Sequence, residues 1–334
     1  MLEQRLKNHI NTYGPLTVRE YQDLALFDPV DGYYANAQVI GRQGDFITSP
    51  EISQVFGEII ALIFVNQWHQ IGCPDHVLLA ELGPGRGTLM ADMIRTFKQF
   101  PDFWKKLTIY LVEVCPALMQ QQKDLLDAAA AHASTLAIVP ESDITFIIAN
   151  EFFDALPVEQ FVFDPVAKER RERLVTYNEK DTWHFTPHAP HEHIIETSEA
   201  SLNIASEIKR RLTHGQGMAI IIDYGDNCEQ RTGDTLQAVY KHQRVSVFDH
   251  MGQADLSHHV DFREIEQLMA PLHTTFTTQG EFLIHNGINE RTEYLAEKNP
   301  EMASSLRIGA ARLTAPSAMG NLFKVLTVAH IDKI

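Results

Sequence analysis

The chain has 334 residues, and its 28 Lys and Arg against 44 Asp and Glu give a formal net charge of −16. This length accommodates two domains or one large α/β domain with insertions. A nucleic-acid partner is disfavoured, because such binding depends on clustered cations that neutralise phosphates. The acidity is compatible with a basic substrate, although many soluble proteins are as acidic.

The cysteines and the hydropathy pattern exclude further classes. Cys73, Cys115 and Cys228 are far apart and form no CxxC pair, so neither a disulfide framework nor a cysteine zinc site is predicted. No apolar run approaches the roughly 18 residues that a membrane-spanning helix needs. The amphipathic start lacks the hydrophobic region of a signal peptide. We therefore expect a soluble protein of a reducing compartment, with no membrane insertion.

The predicted elements begin with an N-terminal helical segment over residues 1–75. A first helix ends at Gly14-Pro15, a turn-forming pair. Further on, Ser49-Pro50 has the pattern of an N-cap followed by a first-turn proline. Apolar residues then recur at helical spacing to about Trp68, which predicts one continuous helix.

From residue 76 onward, short apolar runs alternate with helical stretches, which predicts a parallel sheet covered on both faces. We expect residues 76–334 to form one α/β domain with two insertions. The first, 158–217, predicts an antiparallel β meander, and the second, 226–262, precedes a helix at about 262–270. Near the end of the sequence, residues 274–278 and 322–329 predict a closing antiparallel pair.

The most informative motif is Glu81-Leu-Gly83-Pro-Gly85-Arg-Gly87, between the first predicted sheet strand and its helix. Glycines at such a turn allow a ligand to approach the backbone closely, and the helix N-terminus favours polar groups. The spacing is GxGxG and differs from the GxGxxG of dinucleotide binding.

The second predicted strand ends in Glu113. Because ligands bind outside the carboxyl ends of parallel strands, we expect Glu113 beside the glycine loop, where a carboxylate accepts hydrogen bonds from ribose hydroxyls. This pattern favours an S-adenosylmethionine pocket. An NAD(P) site and a ligand-free turn stay open at this point, and Glu113 alone is equally compatible with a solvated strand end.

The next strand ends in Asn150-Glu151-Phe-Phe-Asp154. An amide and two carboxylates would therefore lie near the reactive end of the ligand, although the same residues could cap a turn. His188, His191 and His193 lie in a Pro-rich turn that suggests a solvated loop. His259 with Asp261 suggests a cleft lining or a helix start with Asp261 as N-cap. We predict no metal.

Together these segments closely resemble the MidA family, which includes mitochondrial complex I assembly methyltransferases and bacterial relatives. The matching runs keep their order along almost the whole chain. They include Asp31-Gly-Tyr-Tyr34, Gly44-Asp-Phe-Ile-Thr-Ser-Pro-Glu-Ile-Ser53, Glu81-Leu-Gly-Pro-Gly-Arg-Gly-Thr-Leu89, Asn150-Glu-Phe-Phe-Asp-Ala-Leu-Pro157, Asp223-Tyr-Gly225, His259-Val-Asp-Phe262 and Met319-Gly-Asn-Leu-Phe-Lys324.

The resemblance implies a class I, Rossmann-like methyltransferase fold. Its seven-stranded, mostly parallel sheet would have an antiparallel closing strand, and S-adenosylmethionine would be the cofactor. It also implies a protein arginine methyltransferase acting on a respiratory complex I subunit. Two alternatives stay open: a small-molecule methyltransferase, and an assembly chaperone that uses the cofactor only structurally. The oligomeric state is open, with a dimer among the options, and a bacterial cytoplasm is favoured over a mitochondrial matrix.

Site roles follow from this chemistry. An arginine guanidinium is charged at any working pH, so its site needs paired carboxylates. We assign this work to Glu151 and Asp154, with Asn150 beside them. Residues 44–51 are expected to form a lid. The remaining assignments are Glu81, Gly83, Gly85, Gly87, Glu113 and Thr48 for the cofactor, and Asp45, Glu51, His259 and Asp261 for the substrate cleft.

Overall fold

The computed structural model describes residues 1–35, 48–164, 166, 168–229 and 233–330. Residues 44–47, which are the first half of the predicted lid and include Asp45, lie outside the described residues. The chain forms two compact units, which we call the N-terminal unit and the sheet unit. The N-terminal unit comprises the described residues of Met1–Phe46, Phe153–Asn203 and Asp226–Ile265, and the sheet unit those of Ile47–Phe152, Ile204–Gly225 and Glu266–Ile334. This division does not coincide with the predicted boundary after residue 75.

Helices make up a large part of the described chain. They are α1 Leu2–Tyr13, α2 Val18–Phe27, α3 Ser49–Ile52, α4 Gln54–Gln70, α5 Thr88–Phe97, α6 Pro101–Trp104, α7 Pro116–Leu126, α8 Glu199–His214, α9 Phe262–Met269, α10 Gln279–His285, α11 Ile288–Lys298, α12 Ala303–Thr314 and α13 Met319–Leu322. Single 3₁₀ turns cover Tyr33–Ala35, Leu136–Ile138, Phe153–Ala155 and His191–His193.

The strands are distributed over several sheets. They are β1 Leu16–Thr17, β2 Val77–Leu82, β3 Leu107–Val112, β4 Ala131–Ala133, β5 Ile144–Asn150, β6 Glu159–Asp164, β7 Glu169–Glu172, β8 Leu174–Tyr177, β9 Trp183–Thr186, β10 Ile194–Thr197, β11 Gln216–Asp226, β12 Gln237–Tyr240, β13 Gln243–Val245, β14 Asp255–Ser257, β15 Val260–Asp261, β16 His273–Thr278 and β17 Phe323–His330.

Seven of the eight strands of the main sheet lie in the order β16-β17-β11-β5-β2-β3-β4. The five strands from β11 to β4 are parallel, and β17 is antiparallel to both β11 and β16. This confirms the predicted mostly parallel sheet and its antiparallel closing pair. From β2 the chain builds outward through β3 and β4, then returns to place β5 on the other side of β2. A crevice at the carboxyl ends of β2 and β5 is therefore expected to bind the ligand.

Helix α4 covers one face of this sheet. The ring of Phe64 stacks on that of Phe146 from β5, with centroids 5.0 Å apart, and both side chains are fully buried. Burying each such ring contributes about 1.5–3 kcal/mol, which explains why this helix groups with the sheet.

The single helix predicted from Ser49 is divided into α3 and α4. Thr48 occupies the N-cap position of α3, so Ser49 is the first helical residue and the N-cap prediction for it is wrong by one position. Ser53 interrupts the helix with an extended backbone, and its hydroxyl accepts a hydrogen bond from the Val55 N–H. A serine side chain that bonds to the backbone nearby competes in this way with helix continuation.

The N-terminal unit is built from three small antiparallel sheets, β1-β8-β9, β10-β6-β7 and β13-β12-β14. The predicted meander over 158–217 is present as antiparallel strands. Its strands belong to two sheets, and one of these sheets takes its third strand, β1, from the start of the chain. Leu6, Tyr21 and Val175 are buried in a common core of this unit, which brings segments distant in sequence together.

Candidate active site at the carboxyl ends of the sheet strands

The glycine loop joins β2 to α5 in a left-handed backbone path. Gly83, Gly85 and Gly87 have φ values of 61°, 53° and 84°, a region that residues with a Cβ enter only at a cost. Gly87 is the N-cap of α5. The turn therefore requires glycine at these three positions. Because glycine has no side chain, the backbone of the turn is accessible to a ligand.

The loop is also packed against the segment that follows β5. A Cβ atom on Gly83 would lie 2.6 Å from Cδ2 of Phe152, closer than side chains tolerate. The Phe152 N–H in turn donates to Oδ2 of Asp223, at 3.1 Å, and Asp223 is completely buried. Asp223, at the end of β11, was not singled out from the sequence, although it lies in one of the matching runs.

Glu81, one residue before the end of β2, is buried, with 3% of its surface exposed. Its Oε2 atom has no hydrogen-bond partner among the described residues. Burial, together with the negative charge of Glu113, raises the pKa of the Glu81 carboxyl to about 8. A buried carboxyl with an unpaired oxygen is costly, and a cationic ligand group would remove that cost.

Glu113 follows β3 directly, and its carboxylate is held by the backbone. Its Oε1 atom accepts hydrogen bonds from the N–H groups of Val114 and Cys115, at 2.8 and 2.9 Å. Burial nevertheless raises the pKa of Glu113. This carboxylate is thus fixed in orientation near the glycine loop, and it contributes to the field that acts on Glu81.

Glu151, directly after β5, adopts a φ of 52°, which is unusual for a residue other than glycine and is typical of functional sites. Its N–H donates to the Ile222 carbonyl oxygen at 2.8 Å. Its Oε1 atom accepts hydrogen bonds from the Ser49 N–H at 3.0 Å and from Asn150 Nδ2 at 3.1 Å. The strained backbone thus presents a carboxylate that is held by two donors.

Burial raises the pKa of Glu151 to about 7, against the lowering effect of the hydrogen bonds from Ser49 and Asn150. The negative charge of Glu51 also contributes to the increase. Glu51 Oε1 lies 3.6 Å from the Arg86 guanidinium of the glycine loop. Asn150 Oδ1 is buried without a hydrogen-bond partner among the described residues. This end of β5 therefore combines two interacting carboxylates with an amide oxygen available to a donor.

The other predicted site residues belong to the N-terminal unit. Asp261 Oδ1 accepts the Glu264 N–H at 3.0 Å, which confirms Asp261 as the N-cap of α9. The His259 N–H donates to Thr235 Oγ1 at 2.9 Å, and the Asp154 carbonyl oxygen accepts the His258 N–H at 3.0 Å. The joint action of Asp154 with Glu151 stays a prediction.

Within the ranges given above, no three His, Cys, Asp or Glu residues cluster closely enough to hold a metal ion. No helix in the same part of the chain has the length and apolar character needed to cross a bilayer.

The fold and the glycine loop together are typical of one class of enzyme. The profile of a family of S-adenosyl-L-methionine-dependent methyltransferases matches residues 59–280, and the chain belongs to that family.

Two named relatives are similar to this chain over almost its whole length. The protein arginine methyltransferase NDUFAF7 homologue of Drosophila melanogaster is 33% identical, over 99% of this chain and 87% of the relative. Its Rattus norvegicus counterpart, mitochondrial NDUFAF7, is 32% identical over 96% and 82%. A crystal structure of a COG1565 superfamily member from Burkholderia thailandensis, bound to S-adenosylhomocysteine, superposes with a TM-score of 0.85. It is 22% identical and covers 99% of this chain and 92% of that one, so it shows the shared fold.

The cofactor of this family, S-adenosylmethionine, fits the residues present. The unpaired Oε2 of buried Glu81 suits a cationic group, and the left-handed glycine loop leaves backbone exposed next to it. The protein is therefore a methyltransferase that uses S-adenosylmethionine.

Proposed function

We propose that this methyltransferase modifies arginine side chains of a protein, and that its substrate is a subunit of respiratory complex I. The observation that carries the proposal is the carboxylate of Glu151, which a left-handed backbone holds at the end of β5 and whose pKa burial raises to about 7. The names of the full-length relatives support the arginine substrate. The complex I target follows from the family resemblance in the sequence.

Cofactor contacts are proposed at the ends of β2 and β3. Glu81 would hold the ammonium group, Glu113 the ribose hydroxyls, and the backbone of Gly83, Gly85 and Gly87 the adjoining atoms. Thr48 is kept as a further contact. When bound, the cofactor supplies a methyl group carried on a sulfonium.

Substrate contacts are proposed at the end of β5. Both hydrogen bonds to Glu151 are made to Oε1, so we assign Oε2 to the substrate guanidinium. Glu51 adds a second negative charge, and Asn150 Oδ1 can accept a guanidinium N–H. With a pKa of about 7, Glu151 is also suited to accept the proton that the nitrogen loses on methylation. Asp154 is kept as the proposed catalytic partner of Glu151, and His259, Asp261 and Asp45 are kept as proposed residues of the substrate cleft.

The first test uses Glu151→Gln, which keeps the shape of the side chain and removes its charge. Methylation of arginine peptides should fall by at least about 100-fold, the scale of a lost acid–base group. Affinity for S-adenosylhomocysteine should change by less than about threefold, because the assigned cofactor contacts are untouched. Methyl incorporation from labelled cofactor and calorimetric titration measure the two quantities. Full activity in the variant would refute the assignment of Glu151.

The target is tested by mass spectrometry of methylarginine on complex I subunits, with and without the gene. Loss of a methylarginine in the deletion strain, restored by the wild-type gene and not by Glu151→Gln, is the expected outcome. If Glu151→Gln restores complex I assembly fully, the protein acts as an assembly factor without catalysis. If no protein is methylated but a metabolite is, the small-molecule alternative is correct.

A further inference from the structure

A buried glutamine connects the two proposed parts of the cofactor site. Gln122, on α7, is completely buried. Its Nε2 donates to the carbonyl oxygen of Gly85 in the glycine loop at 2.6 Å, and to Oε2 of Glu113 at 3.2 Å. One amide group therefore joins the turn after β2 to the carboxylate after β3.

The orientation of this amide is fixed by a third strand. Both groups in contact with Nε2 are acceptors, so the NH₂ end of Gln122 must face them and Oε1 must face away. Oε1 lies 2.9 Å from Nε2 of His132, in β4. Since an amide oxygen only accepts, His132 Nε2 carries the hydrogen and donates it. His132 thus opposes a flip that would turn the amide oxygen toward Glu113.

Both oxygens of Glu113 are consequently oriented. Oε1 is held by the backbone N–H groups of Val114 and Cys115, and Oε2 by Gln122. A carboxylate placed in this way loses little freedom when a pair of hydroxyls binds, and such preorganisation favours affinity. Without Gln122, Oε2 would lose its side-chain donor, and burial would favour the protonated form of Glu113 still more strongly.

We propose that Gln122, oriented by His132, is a positioning residue that sets recognition of the ribose by Glu113 and couples it to the glycine loop. This inference rests on the proposed contact between Glu113 and the ribose. It is independent of the methyl acceptor, so it can fail while the arginine assignment holds, and the reverse is equally true.

The test compares two ligands, S-adenosylhomocysteine and its 2′-deoxy analogue, by calorimetric titration of the full chain. The wild type should prefer the hydroxylated ligand by at least about tenfold, the usual scale of a hydrogen bond to a charged group. In Gln122→Met, which keeps the volume but not the donor, this preference should fall to within about twofold. The 2′-deoxy ligand should lose less than about threefold, because it has one hydroxyl fewer to donate to the oriented carboxylate.

Matched variants separate positioning from general damage. Gln120→Met lies on the same helix at an exposed position, where its amide contacts only Asp124 among the described residues, and it should keep the wild-type preference. His132→Gln retains a donor and should keep most of the preference, whereas His132→Leu should lose it. Equal weakening of both ligands in Gln122→Met would overturn the proposal and leave a structural role. A wild type with no preference between the ligands would overturn it as well.

Discussion

At the residue scale, the buried carboxyl of Glu81 is the clearest sign that the site binds a cationic group. Burial and the negative charge of Glu113 raise the pKa of this carboxyl from its ordinary value of 4.5 to about 8. Since the folded state then holds its proton more tightly than the unfolded chain, this group stabilises the fold fully below the unfolded pKa. That stabilisation is lost as the pH rises through the folded value.

We therefore expect the ligand-free protein to become less stable between about pH 5 and pH 8. Glu81→Gln removes the ionisation, so the melting temperature of the variant relative to wild type should rise steadily with pH over that range. Thermal denaturation at several pH values measures this difference. A difference that does not change with pH would show that Glu81 ionises as freely in the folded protein as in the unfolded chain.

The element scale is illustrated by the glycine loop. Gly83→Ala places a Cβ 2.6 Å from the Phe152 ring in a left-handed conformation, so the loop must move. We expect affinity for S-adenosylhomocysteine to fall by at least about tenfold, since a displaced backbone cannot approach the ligand.

Gly72→Ala is the matched control for this variant. Gly72 also has a positive φ, of 88°, but an added Cβ would meet nothing within 4 Å. The Gly72→Ala variant should lose about 1–2 kcal/mol of folding free energy, because alanine is strained in a left-handed backbone. Its affinity for S-adenosylhomocysteine should stay unchanged. Equal affinities in the two variants would show that contact with Phe152 is unimportant.

Helix α8 offers a stability prediction. Arg211 is buried and donates to the carbonyl oxygens of Leu136, Val139 and Pro140, and to Glu207. Arg211→Met should lower the free energy of unfolding by about 3 kcal/mol, because it leaves several polar groups without a donor.

Arg210→Met is the neighbouring control. Arg210 pairs with Glu141 and Glu207, but its side chain is 40% exposed, so the loss should stay within about 1 kcal/mol. Urea denaturation of both variants measures the contrast. Similar losses would mean that the buried contacts of Arg211 add nothing beyond a surface ion pair.

Individual helices and strands could be predicted from the sequence more accurately than the pairing between them. Alternating apolar runs and helical stretches were sufficient for the parallel sheet and for the closing pair β16 and β17. The pairing of β1 with β8 was missed because β1 has only two residues and lies more than 150 residues before β8, so no local pattern links them. The break at Ser53 was missed because a serine in an apolar helical pattern is ambiguous until its hydroxyl has a partner.

The part of the site around Glu81 and the glycine loop could be predicted from the sequence, because there a motif constrains the backbone. The positive φ of Glu151 and its contact with the Ser49 N–H had no signal in spacing. Gln122 and His132 were not considered, because a glutamine in a helix and a histidine in a short strand are common. Only the tertiary structure gives them a role.

At the scale of the whole molecule, the net charge of −16 should influence encounter with a basic substrate. Raising the salt concentration from about 0.01 M to 0.15 M shortens the screening length from about 30 Å to about 8 Å. We expect KM to rise severalfold for an arginine peptide with basic neighbours, and to stay nearly constant for one with acidic neighbours. Steady-state kinetics at both salt concentrations test this, and equal responses of the two peptides would exclude long-range attraction.

The position of β17 between β11 and β16 has a consequence for synthesis on the ribosome. Both neighbours are made earlier, yet neither is paired on that side until residues 323–330 arrive. Until then, one edge of β11 is exposed and β16 is unpaired in the nascent protein, and such a state is prone to incorrect association. Completion of the sheet is accordingly a late event that follows the emergence of its central antiparallel strand from the exit tunnel.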